Sequence, residues 1–305
     1  MKYYFLIAVF TIASDPVEAQ GCSDAGFCTI GGLTYGQIPA DKRTKNTVRL
    51  SMPTGPGDEN VMVLTPSLEY TLEHKNWQWQ GKLSANYASG NLGSAFGPGD
   101  VVFSGTYTPP VQHRWKPSFT LGTKLPLNGG DLTAGGRSLP MQYQSSLGTI
   151  DLIAGVAFST ERWTWAAGWQ QPLTGENRNK FLPRYWNDAK AVAYPPGNSF
   201  NRKGDVLLRT NYAFIQKGKG KLTAGLLGIY HLGEDTYIDA LQSVSPIPIK
   251  GSEGLTLNLT AAGDMMLSKR LSLGLVFGVP LVVRDVRPDG LTRRFVLAPQ
   301  VLFHF

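Results

Sequence analysis

Between Asn76 and Gly90 the chain reads NWQWQGKLSANYASG, and alternate positions belong to different chemical classes. Trp77, Trp79, Gly81, Leu83, Ala85 and Tyr87 form an apolar set, whereas Gln78, Gln80, Lys82, Ser84, Asn86 and Ala88 form a mostly polar one. Successive side chains of an extended strand point to opposite faces, so a period of two predicts a strand with one greasy and one wet side. The pattern recurs in twelve segments, near 46–54, 61–73, 76–89, 101–109, 114–127, 147–159, 162–173, 206–216, 221–233, 254–267, 270–284 and 293–305. In the tenth, Leu255, Leu257, Leu259 and Ala261 oppose Thr256, Asn258, Thr260 and Ala262. In the last, Phe295, Leu297, Val301, Phe303 and Phe305 oppose Arg294, Ala298, Gln300 and His304.

The connections alternate as well. Those after the even-numbered segments are short and polar (EHKN, PPVQH, STER, QKGKGK, LSKR), and those after segments three, five, seven and nine are long. An even strand count with short turns at one end and long loops at the other describes an all-β fold: a 12-stranded antiparallel transmembrane β-barrel with periplasmic turns and extracellular loops. Trp and Tyr favour the membrane–water boundary. The outward positions nearest the short turns include Tyr70, Trp77, Trp79, Tyr107, Trp115, Trp163 and Trp165, which predicts an aromatic girdle at the periplasmic boundary. On this reading Trp77 and Leu83 touch lipid while Gln78 and Lys82 face a wet lumen.

Composition then fixes the address. Met1-Lys2 precedes the apolar run YYFLIAVFTIA, and Val17 and Ala19 suit the −3 and −1 positions of a signal-peptidase site. The expected division is a signal peptide at 1–19, a periplasmic N-terminal segment at 20–45 and a barrel at 46–305. The segment 20–45 can either enter the lumen as a plug or hang below it. Downstream, no apolar run reaches the ~18–20 residues that a membrane helix needs. Thirty-five glycines suit turns and strands. The net charge of +7 is dispersed over turns and polar faces rather than gathered in a patch, so nucleic acid is not an expected partner. Cys22 and Cys28 are the only cysteines. In an exported chain they are expected to close a small disulfide loop; the alternative, a metal held by both thiolates and Asp24, has unusually wide spacing and no nearby histidine. No cofactor is expected.

Four strands end in related phrases, MPTGPGD, LPLNGGD, QPLTGEN and VPLVVRD, which put Pro53, Pro126, Pro172 and Pro280 in the lumen register near the extracellular rim. Proline cannot donate to the ladder, so each is expected either to end pairing or to open a bulge. The lumen-facing ionisable residues by register are Arg49, Glu69, Lys82, Lys116, Lys124, Asp151, Arg162, Arg209, Asp264 and Arg294. Cations outnumber acids there, which favours anionic or neutral polar solutes if the pore is open; mutual pairing that fills the lumen is the alternative. His231 lies toward the outer rim with Glu234, Asp235 and Asp239 close in sequence, the one arrangement that leaves an acid–base enzyme open. The longest loop, 174–205, mixes aromatic and basic residues. It can act as a lid, a partner-binding surface or a solvated loop.

The chain stops at VLFHF, and its terminal Phe305 resembles the signal by which outer-membrane proteins reach the barrel-assembly machinery. Together with the signal, the strand count and the proline–glycine rim phrases, residues 46–305 resemble a family of outer-membrane channels that accompany pathways for phenol and other aromatic compounds, related to long-chain fatty-acid uptake channels. The resemblance implies passive passage of small, often hydrophobic molecules and an N-terminal segment able to plug the lumen. The expected partners are outer-membrane lipid and a small-molecule solute. The alternative is a structural or partner-binding barrel with a membrane-protein partner, and a barrel enzyme is third.

Overall fold

The structure, a computed structural model, describes Ala19, Gln20, Ile30, Leu33 and residues 45–305; Cys22 and Cys28 lie outside the described residues. Twelve strands form the wall: β1 (Asn46–Ser51, resuming at Thr54–Pro56), β2 (Met62–Leu64, resuming at Ser67–His74), β3 (Trp77–Gly90), β4 (Gly93–Tyr107), β5 (Lys116–Pro126) and β6 (Asp151–Ser159). They continue with β7 (Trp163–Pro172), β8 (Asp205–Lys217), β9 (Gly220–His231), β10 (Gly254–Met266), β11 (Leu271–Val282) and β12 (Val296–His304). Each pairs antiparallel with its neighbours in chain order, and β1 pairs with β12 from Thr47↔His304 to Ser51↔Gln300. The ladder therefore has no free edge, the condition under which a sheet can sit in lipid.

Alternation along the strands sorts the two faces. Trp77, Trp79 and Leu83 are 44%, 52% and 46% exposed, whereas Gln80 and Lys82 between them are buried. The outward aromatics gather at the periplasmic boundary: Trp77 stacks on Trp79 at 5.4 Å between ring centroids, and Trp163 meets Trp165 at 5.9 Å and Tyr212 at 4.8 Å. Tyr70 is likewise exposed, and Tyr107 lies 5.1 Å from Trp77. Trp115 is half-buried in the turn before β5.

The fourth strand begins earlier than its alternation suggests. A long loop at 90–100 is expected, but β3 and β4 run on as paired strands to Gly90↔Gly93, leaving a tight turn of Asn91 and Leu92. Gly93 at φ +124° supplies a backbone conformation that other residues rarely adopt. A β-bulge at Ser84, where the partners jump from Val101 to Pro98, restores the register lower down.

Two apolar clusters occupy the interior. One lies inside the wall and unites Ile30 and Leu33 with Val102, Ile153, Leu207 and Leu227. Gly155 leaves the wall bare where Leu33 packs: a Cβ there would stand 2.8 Å from both Leu33 methyls. The other cluster joins the loop residues Leu139, Tyr143, Phe181 and Tyr194 to Val61, Val63, Ala88 and Leu92. The extracellular loops thus carry their own core and lie packed over the mouth. Backbone pairing of Ala19–Gln20 with Thr292–Arg293 puts that part of the chain beside the outer loops.

Candidate functional site

Near the periplasmic end the lumen carries a row of alternating charge across three strands. Arg49, Glu69 and Lys82 are successive partners in the register of β1, β2 and β3. The Arg49 guanidinium Nη1 meets Glu69 Oε1 at 3.0 Å, with the side chains 13% and 5% exposed. Asp264, half-buried on β10, stands opposite Lys221 on β9. His304 on β12 shares hydrogen bonds with Thr47 Oγ1 at 3.1 Å and Ser272 Oγ at 3.0 Å. It thereby ties β12 to β1 and β11.

Midway up, Lys124 on β5 is buried between two carboxylates, 3.0 Å from Asp151 Oδ2 and 3.7 Å from Asp100 Oδ2. Gln170 on β7 donates to Asp151, and Ser146 Oγ donates to Asp100 Oδ1 at 2.5 Å. An ammonium with three donors needs several acceptors once water is removed, and these carboxylates supply them. Three strands further round the wall, Arg209 on β8, 2% exposed, donates to the backbone carbonyl of Leu33.

At the outer mouth a larger set of charges is enclosed. Arg202 reaches Asp205 Oδ2 at 2.7 Å and Asp289 Oδ2 at 3.2 Å, and Arg284 Nη2 reaches the same Asp289 oxygen at 2.5 Å. His231 lies between Asp205 at 2.7 Å through Nδ1 and Asp235 at 2.8 Å through Nε2. When both carboxylates are ionised they only accept, so both ring nitrogens then donate and the imidazole is positively charged. Burial pushes the Asp289 carboxyl up, but the Arg284 and Arg202 guanidiniums outweigh it and hold the group below the usual carboxylate range. Arg287 adds a bond to Asp58 at 3.0 Å, fastening the loop after β11 to the β1–β2 turn. In the loop after β9, the hydrogen bonds from Arg184 hold Asp239 below its ordinary value.

The predicted site residues fall into three groups. Arg49, Glu69, Lys82, Lys124, Asp151, Arg209 and Asp264 occupy the lumen register on their strands, and Lys116 stands in that register at the solvent-exposed periplasmic end of β5. Arg294 is half-buried before β12, and its backbone N–H bonds to Pro56 at 2.7 Å. Arg162 is a correction. β7 starts at Trp163, so Arg162 belongs to the exposed turn, and its guanidinium reaches the outward Tyr212 hydroxyl at 3.2 Å. The outer set of Arg202, Asp205, Arg284 and Asp289 is absent from the sequence expectation. Of that cluster only His231 and Asp235 figure in the acid–base expectation from sequence. Asp239 belongs instead with Arg184.

The prolines behave in two ways. Pro126 and Pro172 end β5 and β7. Pro280 sits at a bulge, where Asn258 pairs with Pro280 and Leu257 with Val282. Pro53 differs from expectation, since β1 resumes beyond it: it marks a break within the wall rather than the rim. β2 breaks at the same height at Thr65–Pro66, and single bonds span the gap, Thr65 N–H to Pro53 at 2.9 Å and Met52 N–H to Pro299 at 3.1 Å. Pro66, Pro98 and Pro299 thus join Pro53 and the Ser84 bulge across five neighbouring strands. Their signal was present as Pro inside alternating runs, LTPSL, FGPGD and LAPQV. Behind this irregular wall lies a polar cavity of about 50 Å³ lined by Thr65, Lys82, Ser84, Asn86, Asp100 and Arg293 among others. That is room for a few waters.

No protein-family model matches the chain. No curated protein matches it either. Among solved structures it is similar to the COG4313 outer membrane channel from Pseudomonas putida F1, with a TM-score of 0.59 and 12% identity over 89% of this chain and 99% of that one. It is also similar to the Ralstonia pickettii toluene transporter TbuX, with a TM-score of 0.43 and 10% identity over 90% of this chain and 91% of that one. The translocator domain of the autotransporter NalP from Neisseria meningitidis gives a TM-score of 0.46 and 8% identity, over 88% and 91% of the two chains. The first of these likenesses, with the closed ladder, the girdle and the loop asymmetry, establishes a bacterial outer-membrane β-barrel.

Proposed function

We propose that the chain is an outer-membrane channel for passive, site-guided uptake of a small molecule, with residues 20–45 as a plug in the lumen. The single observation that carries this reading is the lumen lining: charged and amide side chains face a barrel interior in which Ile30 and Leu33 pack against the wall. Leu33 offers its carbonyl to Arg209, and both residues are fully buried against the wall. A barrel serving only as a scaffold has no need of Ile30 and Leu33 packed against the inside of its wall. Of the two expectations for the lumen charges, pairing describes Arg49–Glu69 and Lys124–Asp151. The sequence resemblance to aromatic-compound channels supports a small hydrophobic or anionic solute. In His231 both ring nitrogens are engaged by carboxylates, so the ring offers no lone pair to a substrate, which favours transport over acid–base catalysis.

The test is liposome swelling and single-channel recording on the full chain and on a form lacking residues 20–45. The deletion is expected to raise conductance several-fold, and benzoate or phenol is expected to enter vesicles carrying the full chain. Absence of flux for every small solute by both forms would remove the channel reading. Equal conductance by both forms would remove the plug alone.

A further inference from the structure

A separate groove lies among the extracellular loops, and its lining shares no residue with the cavity behind the proline-broken wall. It encloses about 1080 Å³ between the hairpin formed by Thr133–Ala134 and Arg137–Ser138, the segment 178–186 and the tip 238–241. That is just above the ~300–1,000 Å³ typical of organic-ligand sites and far more than an inorganic anion fills. Four cations line it: Arg137, Arg178, Lys180 and Arg184. Arg178 is paired with Asp131 at 3.2 Å, and Arg184 binds Asp239 through both guanidinium nitrogens. Among the described residues, neither the Arg137 guanidinium nor the Lys180 ammonium has a carboxylate partner, so the groove carries positive charge in excess of its acids.

Two of these cations are held by aromatic rings. The Arg137 Cζ lies over Trp186 at 5.9 Å from the ring centroid, and the Arg184 Cζ lies over Tyr185 at 5.1 Å. Trp186 is itself fixed, since its Nε1–H donates to the Ser138 carbonyl at 2.9 Å and its ring packs against Phe181. Stacking engages the face of a guanidinium and leaves its N–H edge for a carboxylate. Tyr185 remains 58% exposed, a surface on which the C–H face of a sugar ring can lie. Ser138, Asn198 and Ser199 add hydroxyl and amide groups along the same lining. Fixed cations, exposed aromatic surface and short polar side chains in an open groove match one chemistry: rings that bear both hydroxyls and carboxylates.

We propose that this groove is a binding site for an acidic saccharide, whose carboxylates meet Arg137 and Lys180 and whose ring lies against Tyr185. The saccharide can come from the medium or from the acidic core sugars of neighbouring lipopolysaccharide. Isothermal titration of the full chain in detergent distinguishes them, with tetragalacturonate, maltotetraose and purified rough lipopolysaccharide as probes. Tetragalacturonate is expected to bind, maltotetraose to bind not measurably, and the double variant Arg137→Gln/Lys180→Gln to bind about tenfold more weakly or worse. Both side chains are exposed, so the variant should keep its heat-modifiable migration on gels. Binding of lipopolysaccharide alone, lost in the variant, supports the site and assigns its ligand to the outer leaflet. Equal binding of maltotetraose, undiminished binding by the variant, or binding of neither acidic probe would overturn the proposal. The readout is binding rather than flux, so its failure leaves the uptake reading untouched.

Discussion

The two ends of the lumen handle charge differently. At the outer mouth Arg202, Asp205, His231, Asp235, Arg284 and Asp289 are all at most 3% exposed and bonded into one set. Toward the periplasm the charges line neighbouring strands in a row, with the Arg49 side chain at 13% exposure and Asp264 half-buried. A dehydrated ion is tolerable only while its partners are in place, because the loss of solvation is repaid by opposite charge and hydrogen bonds. A half-wet ion can fall back on water. The outer mouth therefore behaves as a lock that is closed as a unit or not at all, joining the loops after β7, β9 and β11. The inner end can loosen step by step, which suits the end where Lys45 leads into β1.

Removing one member of the outer set should show the largest effect. Asp289→Asn leaves Arg202 and Arg284 facing each other across a neutral amide, and breaking a buried pair in this way costs about 3–5 kcal/mol. The expected result is a lower urea midpoint for unfolding from detergent or vesicles and faster proteolysis of the extracellular loops. Asp264→Asn, at the wetter end, should cost less than about 1 kcal/mol. Equal effects at the two sites would end the contrast between them.

Acid probes the same contrast without mutation. The Asp289 carboxyl is held below its ordinary value in the folded chain, so its contribution to stability is fully present above about pH 4, the unfolded carboxylate value. It is lost as pH falls below that toward the folded value, where protonation frees the two arginines from their partner. Unfolding midpoints between neutral pH and strong acid should therefore drop steeply at the acid end. The drop should be shallower in Asp289→Asn, which has no proton to gain at that position. Parallel acid limbs in the two proteins would mean that the outer set does not govern acid stability.

How much of this was legible beforehand follows from where the information sits. The strands were readable because alternation is local: Trp77 to Tyr87 shows its two faces within eleven positions. The start of β4 was not, because GSAFGPGD offers glycines and small residues whose burial leaves no contrast in polarity. The inner row Arg49–Glu69–Lys82 followed from register, each member facing inward on its own strand. The outer set could not follow, since Arg202 and Asp289 are 87 positions apart and lie on loops, where no periodicity says which way a side chain turns. Pro53 breaks the wall below the rim position its phrase suggests. A proline in an alternating run signals broken pairing, yet only the partner strand shows whether the strand ends there or resumes.

The smallest effect expected is also the sharpest check on facing. Arg162 and Arg209 both occupy the polar set by simple counting, but β7 starts one residue after Arg162, and the turn lets that guanidinium swing outward to the Tyr212 hydroxyl. Its hydrogen bond lies in water, where the solvent replaces it at almost no cost. Arg162→Ala should therefore leave the thermal midpoint of gel-detected unfolding unchanged. Arg209 is buried in the lumen and holds the Leu33 carbonyl, so Arg209→Ala strands a buried acceptor and should cost about 1–3 kcal/mol. In a form lacking residues 20–45 the Leu33 carbonyl is gone, and that component of the Arg209→Ala penalty should shrink while Arg162→Ala stays silent. A shift for Arg162→Ala matching that of Arg209→Ala would place both guanidiniums inside the wall and return Arg162 to the lumen.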